Sequence, residues 1–250
     1  VRYQATNKDR LLLKISQPEL KYSTHYQALL KEIELAAPAL KTLVITGGEP
    51  LLDNFLFDTL ANLKMSDQSV IEIYTGLGVG SSRFANIVQK LKQIPNLQII
   101  VSAENTEKFA EFNRYGIQWQ EFMNKINLLK QNNIKIKFHA TLTNLTIFGF
   151  VQFYKQFKDE EIKLTFAYQP DMMAVYVLDY HSKQQLMQDL TLLPEHFSTP
   201  LLKSITPDPS EIQRNNIGNF LKEFVNRRKD LNLNIFPNKF LTWAGLSHVV

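Results

Sequence analysis

From residue 26 to residue 168 the chain alternates short apolar runs with amphipathic stretches, and that alternation leaves few architectures open. Residues 42–46, 70–75, 97–102, 134–141 and 162–168 read as strands. Residues 26–36, 55–63, 83–91, 119–131 and 147–157 read as helices. In the fourth of these, Phe122, Met123, Ile126 and Leu129 recur at the three- and four-residue steps of one helix face. Apolar strands that alternate with helices over short connections imply a parallel sheet covered by helices, an α/β fold. Five strands suit an open sheet or an incomplete barrel, and the pattern alone does not choose.

Past residue 169 the texture changes. An apolar run at 172–178 and a helix at 181–190 precede a stretch, 193–210, that is rich in proline. Residues 211–228 are amphipathic, with Ile217, Leu221, Phe224 and Val225 on one face. Nothing there resembles a second independent core. The expected division is a barrel-like core over 1–170 and a C-terminal extension over 171–250 packed on it. The first 25 residues are less legible; residues 11–15 fit a short strand or the remnant of a loop.

Composition narrows the function classes. In 250 residues, 44% are hydrophobic and 21% charged, enough for a sizeable core and incompatible with bulk disorder. No apolar run approaches the roughly 18–20 residues of a membrane helix. With no leader behind Val1, a cytoplasmic protein is expected, and the non-methionine start suggests a chain cut at its beginning. The net charge is +4. Its densest basic group, Asn226-Arg227-Arg228-Lys229, reads as a solvated helix face, so a nucleic-acid partner is not expected. There is no cysteine, so these residues can ligate no iron–sulfur cluster or thiolate zinc. The histidines lack metal-binding spacing, and no metal site is expected.

Ligands of parallel α/β folds bind beyond the carboxyl ends of the strands. After the strand at 42–46 comes Thr46-Gly47-Gly48-Glu49-Pro50. Paired glycines let backbone approach a ligand, and Pro50 fixes the exit of the chain. Glu49 either meets a ligand's ammonium group or caps the following turn. Thr75-Gly76-Leu77-Gly78-Val79-Gly80 lacks the Lys-Ser/Thr of a P-loop and the spacing of a dinucleotide site. It reads as a flexible wall of the same ligand mouth. Ser102, Arg114 and Asn144 also stand at or just beyond strand ends. The alternatives are a turn residue for Ser102, a surface ion pair for Arg114, and a cap for the helix near Ile147 for Asn144, the last being preferred.

Strand-Thr-Gly-Gly-Glu-Pro-Leu-Leu resembles the turn after the second barrel strand of the radical S-adenosylmethionine superfamily. Ser102-Ala103-Glu104, followed by Arg114 and Trp119 five residues later, is similar to that family's Ser-x-Asp and Arg-x-x-x-x-Trp segments, with glutamate in place of aspartate. Asn127 and Thr141-x-Thr143-Asn144 continue the pattern. Asp171, Tyr176, Leu178 and the aromatics up to Trp243 resemble the tail of twitch-domain-containing members. The likeness spans about residues 40 to 243.

That resemblance implies a partial (β/α)6 TIM-like barrel, the radical SAM core, with a helical C-terminal extension. It implies S-adenosylmethionine as cofactor, with Thr46, Gly47, Gly48 and Glu49 at its methionyl amino group. Ser102 and Arg114 would meet its ribose or carboxylate, and Asn144 its adenosine region. It further implies a 5′-deoxyadenosyl radical, an electron-donor protein, and an unknown substrate of peptide, nucleotide or sugar class.

The departure is the family's Cys-x-x-x-Cys-x-x-Cys loop after the first strand, for which this sequence has no cysteine. Either the first strand and cluster loop lie ahead of Val1, as the non-methionine start suggests, or the chain is a cluster-free binding or scaffold homologue. A [4Fe–4S] cluster is expected only if cysteines lie upstream of Val1, and the chain alone is expected to be inactive. An ordinary α/β-barrel lyase or hydrolase using Glu49 and Glu104 as acid–base pair is the remaining reading.

Overall fold

The computed structural model describes residues 2–7, 10–14, 24–228 and 232–246. Strands β1 (Arg2–Asn7), β2 (Arg10–Lys14), β3 (Thr42–Thr46), β4 (Val70–Thr75), β5 (Leu97–Ser102), β6 (Lys135–Leu142) and β7 (Glu161–Phe166) follow one another in the sheet in chain order. Hairpin partners β1 and β2 are antiparallel, whereas β2, β3, β4 and β5 pair in parallel. The helices are α1 (Thr24–Ala36), α2 (Asn54–Ala61), α3 (Ser81–Leu91), α4 (Glu107–Asn113), α5 (Trp119–Gln131) and α6 (Phe150–Phe157). They continue with α7 (Tyr180–Leu190), α8 (Glu195–Ile205), α9 (Glu211–Arg227) and α10 (Asn238–Trp243).

One expectation is corrected by β2. A strand does precede β3 in the parallel array, with Arg10 opposite Thr42 and Lys14 opposite Thr46. The chain therefore does not lack a strand ahead of Thr42. Residues 15–23, between β2 and α1, fall outside the described set.

The chain divides into two compact units. The first holds residues 1–102 and 120–138, the second residues 103–119 and 139–250. In the first, β3 is built from Leu43, Val44 and Ile45, all buried, and β-branched side chains suit such a pleated, packed surface. In β4, Ile71, Ile73 and Thr75 are buried while Val70, Glu72 and Tyr74 are partly exposed, the period-two pattern of a strand. Helix α3 buries Phe84, Ile87, Val88 and Leu91 at steps of three, one and three, one amphipathic face.

The second unit is held by aromatic packing. Phe236 meets Phe109, Phe112, Phe148 and Phe240 at ring-centroid distances of 5.6, 5.0, 5.7 and 5.9 Å. Such pairs contribute about 0.5–1.5 kcal/mol each beyond area burial. Helix α9 starts with a capping box, Ser210 with Gln213. It also carries Gly218, where a Cβ would overlap the Ala244 carbonyl oxygen; only glycine permits that approach. The proline-rich stretch is not a loop. It contains α8, with Pro194 at its N-cap and Pro200 inside it, and proline's usual disruption of helix interiors hides such a helix from sequence reading.

Candidate functional site

The turn after β3 is built around two left-handed glycines, Gly47 at φ 109° and Gly48 at φ 46°. Residues with a Cβ pay for that backbone region, which accounts for the glycine pair. Outside the strand ladder, no backbone hydrogen bond from Gly47 or Gly48 reaches another described residue. Thr46 is half-buried at the end of β3 and Gly48 is exposed.

Glu49 locks this turn in place. Its Oε1 accepts from the Leu51 amide at 3.2 Å and from Thr75 Oγ1 at 2.5 Å. Its Oε2 accepts from the amides of Gly76 at 3.2 Å and Gly78 at 2.9 Å. A carboxylate offers about four lone-pair sites, and all of them are used. Of the two sequence alternatives for Glu49, the structure displays the cap of the short 3-10 turn Pro50–Leu52, and the same carboxylate also ties β3's turn to the loop after β4.

That loop is correspondingly fixed, which corrects the expectation of a flexible wall. Thr75 Oγ1 accepts from the Leu77 amide at 2.8 Å. The Leu77 carbonyl accepts from the Val79 amide at 2.8 Å and from Lys125 Nζ at 3.1 Å. Leu77 itself is buried and sits at φ 58°. Sequence reading missed Thr75 and Lys125 as parts of this assembly. Lys125 carried a signal, since it is a buried charge on the α5 face that also buries Phe122, Ile126 and Leu129. Ser102, also in this unit, ends β5 half-buried.

In the second unit, Arg114 follows α4 and its Nη2 donates to Glu104 Oε2 at 2.6 Å. Burial pushes the Glu104 carboxyl above its usual range, and the Arg114 charge and hydrogen bond pull against that rise. Arg114 Nε is itself buried and finds no acceptor among the described residues. Arg114 thus makes an ion pair, but with a buried carboxylate and not at the surface as the sequence alternative had it.

Asn144 is fully buried. Its Nδ2 donates to the carbonyls of Met172 at 3.0 Å and Val177 at 3.1 Å, and its amide donates to Met173 at 3.1 Å. Asn144 is thus no helix cap; it fastens the segment 172–177. The turn is instead held by Thr143, whose Oγ1 accepts from the amides of Leu145 and Thr146 at 3.1 Å each.

Strands β6 and β7 add a polar row unforeseen in the sequence. His139 Nε2 lies 3.1 Å from Thr165 Oγ1, which lies 3.0 Å from Thr141 Oγ1. Burial, then the charges of Lys163 and Arg114, hold His139 below its ordinary value.

Neither Glu49 nor Glu104 is left as an uncommitted acid–base group, the first being saturated with donors and the second ion-paired. No cluster of three or more His, Cys, Asp or Glu suited to a metal occurs among the described residues. With no cysteine anywhere in the sequence, a [4Fe–4S] cluster does not fit this chain. No described helix is long and apolar enough to cross a membrane.

No protein-family model matches the chain, and no curated protein matches it by sequence. Among solved structures it is similar to native anSMEcpe with bound AdoMet, at 14% identity and a TM-score of 0.43, over 61% of this chain and 43% of that one. It is also similar to native anSMEcpe with bound AdoMet and Cp18Cys peptide, at 11% identity and TM-score 0.44, over 85% and 54%. The complex with Kp18Cys peptide gives 12% identity and TM-score 0.44, over 87% and 61%. The chain thus spans about half the length of the solved proteins it matches.

Proposed function

We propose that this chain is a cluster-free, radical-SAM-like binding protein that takes S-adenosylmethionine at the turn after β3 and does not itself start radical chemistry. The observation that carries the reading is the Thr46-Gly47-Gly48-Glu49 turn, with two left-handed glycines leaving backbone open at a parallel strand end. Glu49 holds that turn in place through its bonds to Leu51, Thr75, Gly76 and Gly78. The ligand's ammonium group would meet the turn's backbone carbonyls beside the Glu49 charge, and Ser102 would offer its hydroxyl to the ribose. When bound, S-adenosylmethionine would supply a sulfonium-activated carbon, and the residues of this turn would orient it.

In the second unit the assignments are narrower. Arg114 offers a buried donor to a carboxylate or ribose oxygen, while Asn144 acts through the segment it fastens. On the same resemblance, the tail from Asp171 onward is read as a twitch-like extension.

The cluster-free form is preferred over a radical enzyme for a topological reason. The resemblance places the cluster loop after the first parallel strand. Here β2 is already parallel to β3, and the segment that follows it, Ile15-Ser16-Gln17-Pro18-Glu19-Leu20-Lys21-Tyr22-Ser23, contains no thiol.

Equilibrium dialysis of the iron-free chain with labelled S-adenosylmethionine tests this. Saturable binding is expected, and Gly48→Val, which cannot keep the φ of 46° without strain, should abolish it while native circular dichroism persists. Absence of saturable binding to the folded wild type up to millimolar ligand would overturn the proposal.

A further inference from the structure

Within the second unit, helix α7 and residues 235–239 border a cavity of about 700 Å³, a volume in the range of small-molecule sites. Its apolar lining comes chiefly from Phe109, Phe148, Leu186 and Phe236. Phe236 meets Phe109 and Phe148 edge to face, at interplanar angles of 78° and 69°, so the rings hold one another in place. The described residues that line this cavity include none of those assigned to the cofactor, Arg114 and Asn144 among them.

The polar lining is balanced in charge and largely uncommitted. Asp189 and Lys239 carry opposite signs, and Asp189 accepts from Gln185 Nε2 at 3.2 Å. Gln184, Gln188 and Asn238 are exposed, and their side-chain amides bond to no other described residue. Ser182 is 4% exposed, and its Oγ finds no partner among the described residues. A serine inside a helix can donate to the carbonyl four residues back, and buried polar groups are almost always satisfied. A hydroxyl left orphaned on a residue that lines a cavity points to a partner seated in that cavity.

We propose that this cavity binds a neutral, planar heteroaromatic ring that carries a carbonyl beside an N–H, as uracil and nicotinamide do. The ring's faces suit the apolar lining of Phe148, Leu186 and Phe236. Its edge suits the amides, because each Gln or Asn side chain presents a donor next to an acceptor, the pairing by which these residues read the edges of bases. Ser182 Oγ donates to the ring carbonyl. A charged ligand is disfavoured because Asp189 and Lys239 offset one another, and a sugar because its hydroxyls would lose water against the phenyl rings without gaining partners there. The inference does not rest on the S-adenosylmethionine reading, since Thr46, Gly47, Gly48, Glu49 and Ser102 take no part in it.

The test follows the ring signals of His181, an exposed residue of the lining, by NMR on the full chain, assigned with His181→Gln. Uracil and nicotinamide are titrated separately, with benzyl alcohol as a ring lacking the edge and ribose as a sugar lacking the ring. A saturable shift with uracil or nicotinamide, absent with both controls, is expected. Saturating S-adenosylmethionine should leave that shift in place, because its adenine has no carbonyl and its proposed site is elsewhere. Ser182→Ala and Gln188→Met should each weaken binding about threefold to tenfold, the loss of one neutral hydrogen bond. Ser182→Ala should do so without lowering the urea midpoint, because the hydroxyl it removes has no partner in the fold. The proposal is overturned if neither ring gives a saturable shift, if either control or S-adenosylmethionine competes for the site, if both variants keep wild-type affinity, or if Ser182→Ala destabilises the chain.

Discussion

Replacing Glu49 by glutamine should destabilise the fold, although the residue lies at a strand end and is only half-buried. Four donors converge on its two oxygens: the Leu51, Gly76 and Gly78 amides and the Thr75 hydroxyl. Glutamine keeps one oxygen and turns an NH2 toward the other pair, so two charge-assisted bonds are replaced by donor-to-donor contacts. At about 1.5 kcal/mol for each hydrogen bond to a charged group, the loss is about 3 kcal/mol. Solvent can reach the Gly78 amide and recover part of this, so about 2–3 kcal/mol remains. For a chain of this size that is a fall in melting temperature of roughly 4–12 °C. Thermal unfolding followed by circular dichroism measures it, with Glu72→Gln, on a partly exposed β4 position, run alongside. A Glu49→Gln protein that melts with the wild type would refute the idea that the carboxylate fastens β3's turn to the loop after β4.

Other outcomes follow from the second unit and from composition. Arg114→Met leaves the Glu104 carboxylate, 8% exposed at its side chain, without its counter-charge, and should cost about 2–4 kcal/mol at neutral pH; Glu104→Gln should cost less than about 1 kcal/mol, and equal losses in urea unfolding would contradict the account. Because the folded Glu104 pKa is raised, the Arg114→Met deficit should shrink as the pH falls through that raised value, where the carboxyl binds its proton. His139 is shifted the other way, below 6.5, so its contribution is complete above 6.5 and lost as the pH drops through the folded value. Urea midpoints of His139→Gln should therefore fall less than those of the wild type between about pH 7 and pH 5. Anaerobic incubation with iron and sulfide should leave no cluster absorbance and no stoichiometric iron, because the sequence has no cysteine.

The parallel alternation was the most legible part of the chain because strand and helix carry different periods. Residues 42–46, 70–75 and 97–102 are strands as read, and residues 119–131 form the helix expected from Phe122, Ile126 and Leu129. Hidden elements had opposing local signals: α8 contains Pro200 and β1 is mostly polar in sequence, whereas β2 overlaps the 11–15 run, which fitted a short strand as well as a loop remnant. At the candidate site, the glycine pair was legible because φ values of 109° and 46° need it. The carboxylate's partners were not, since Thr75, Gly76 and Gly78 lie 26 to 29 residues from Glu49. Asn144 shows the same limit from the other side. Its short-range alternative was a cap, but its bonds run to carbonyls 28 and 33 residues away.

The measurement that bears most directly on the central claim is an amide chemical-shift map of the iron-free chain titrated with S-adenosylmethionine. The account predicts saturable shifts centred on Gly47 and Gly48, extending to Ser102 and to Gly76 and Gly78 through their bonds to Glu49. Shifts confined to other residues, or none at saturating ligand, would contradict it.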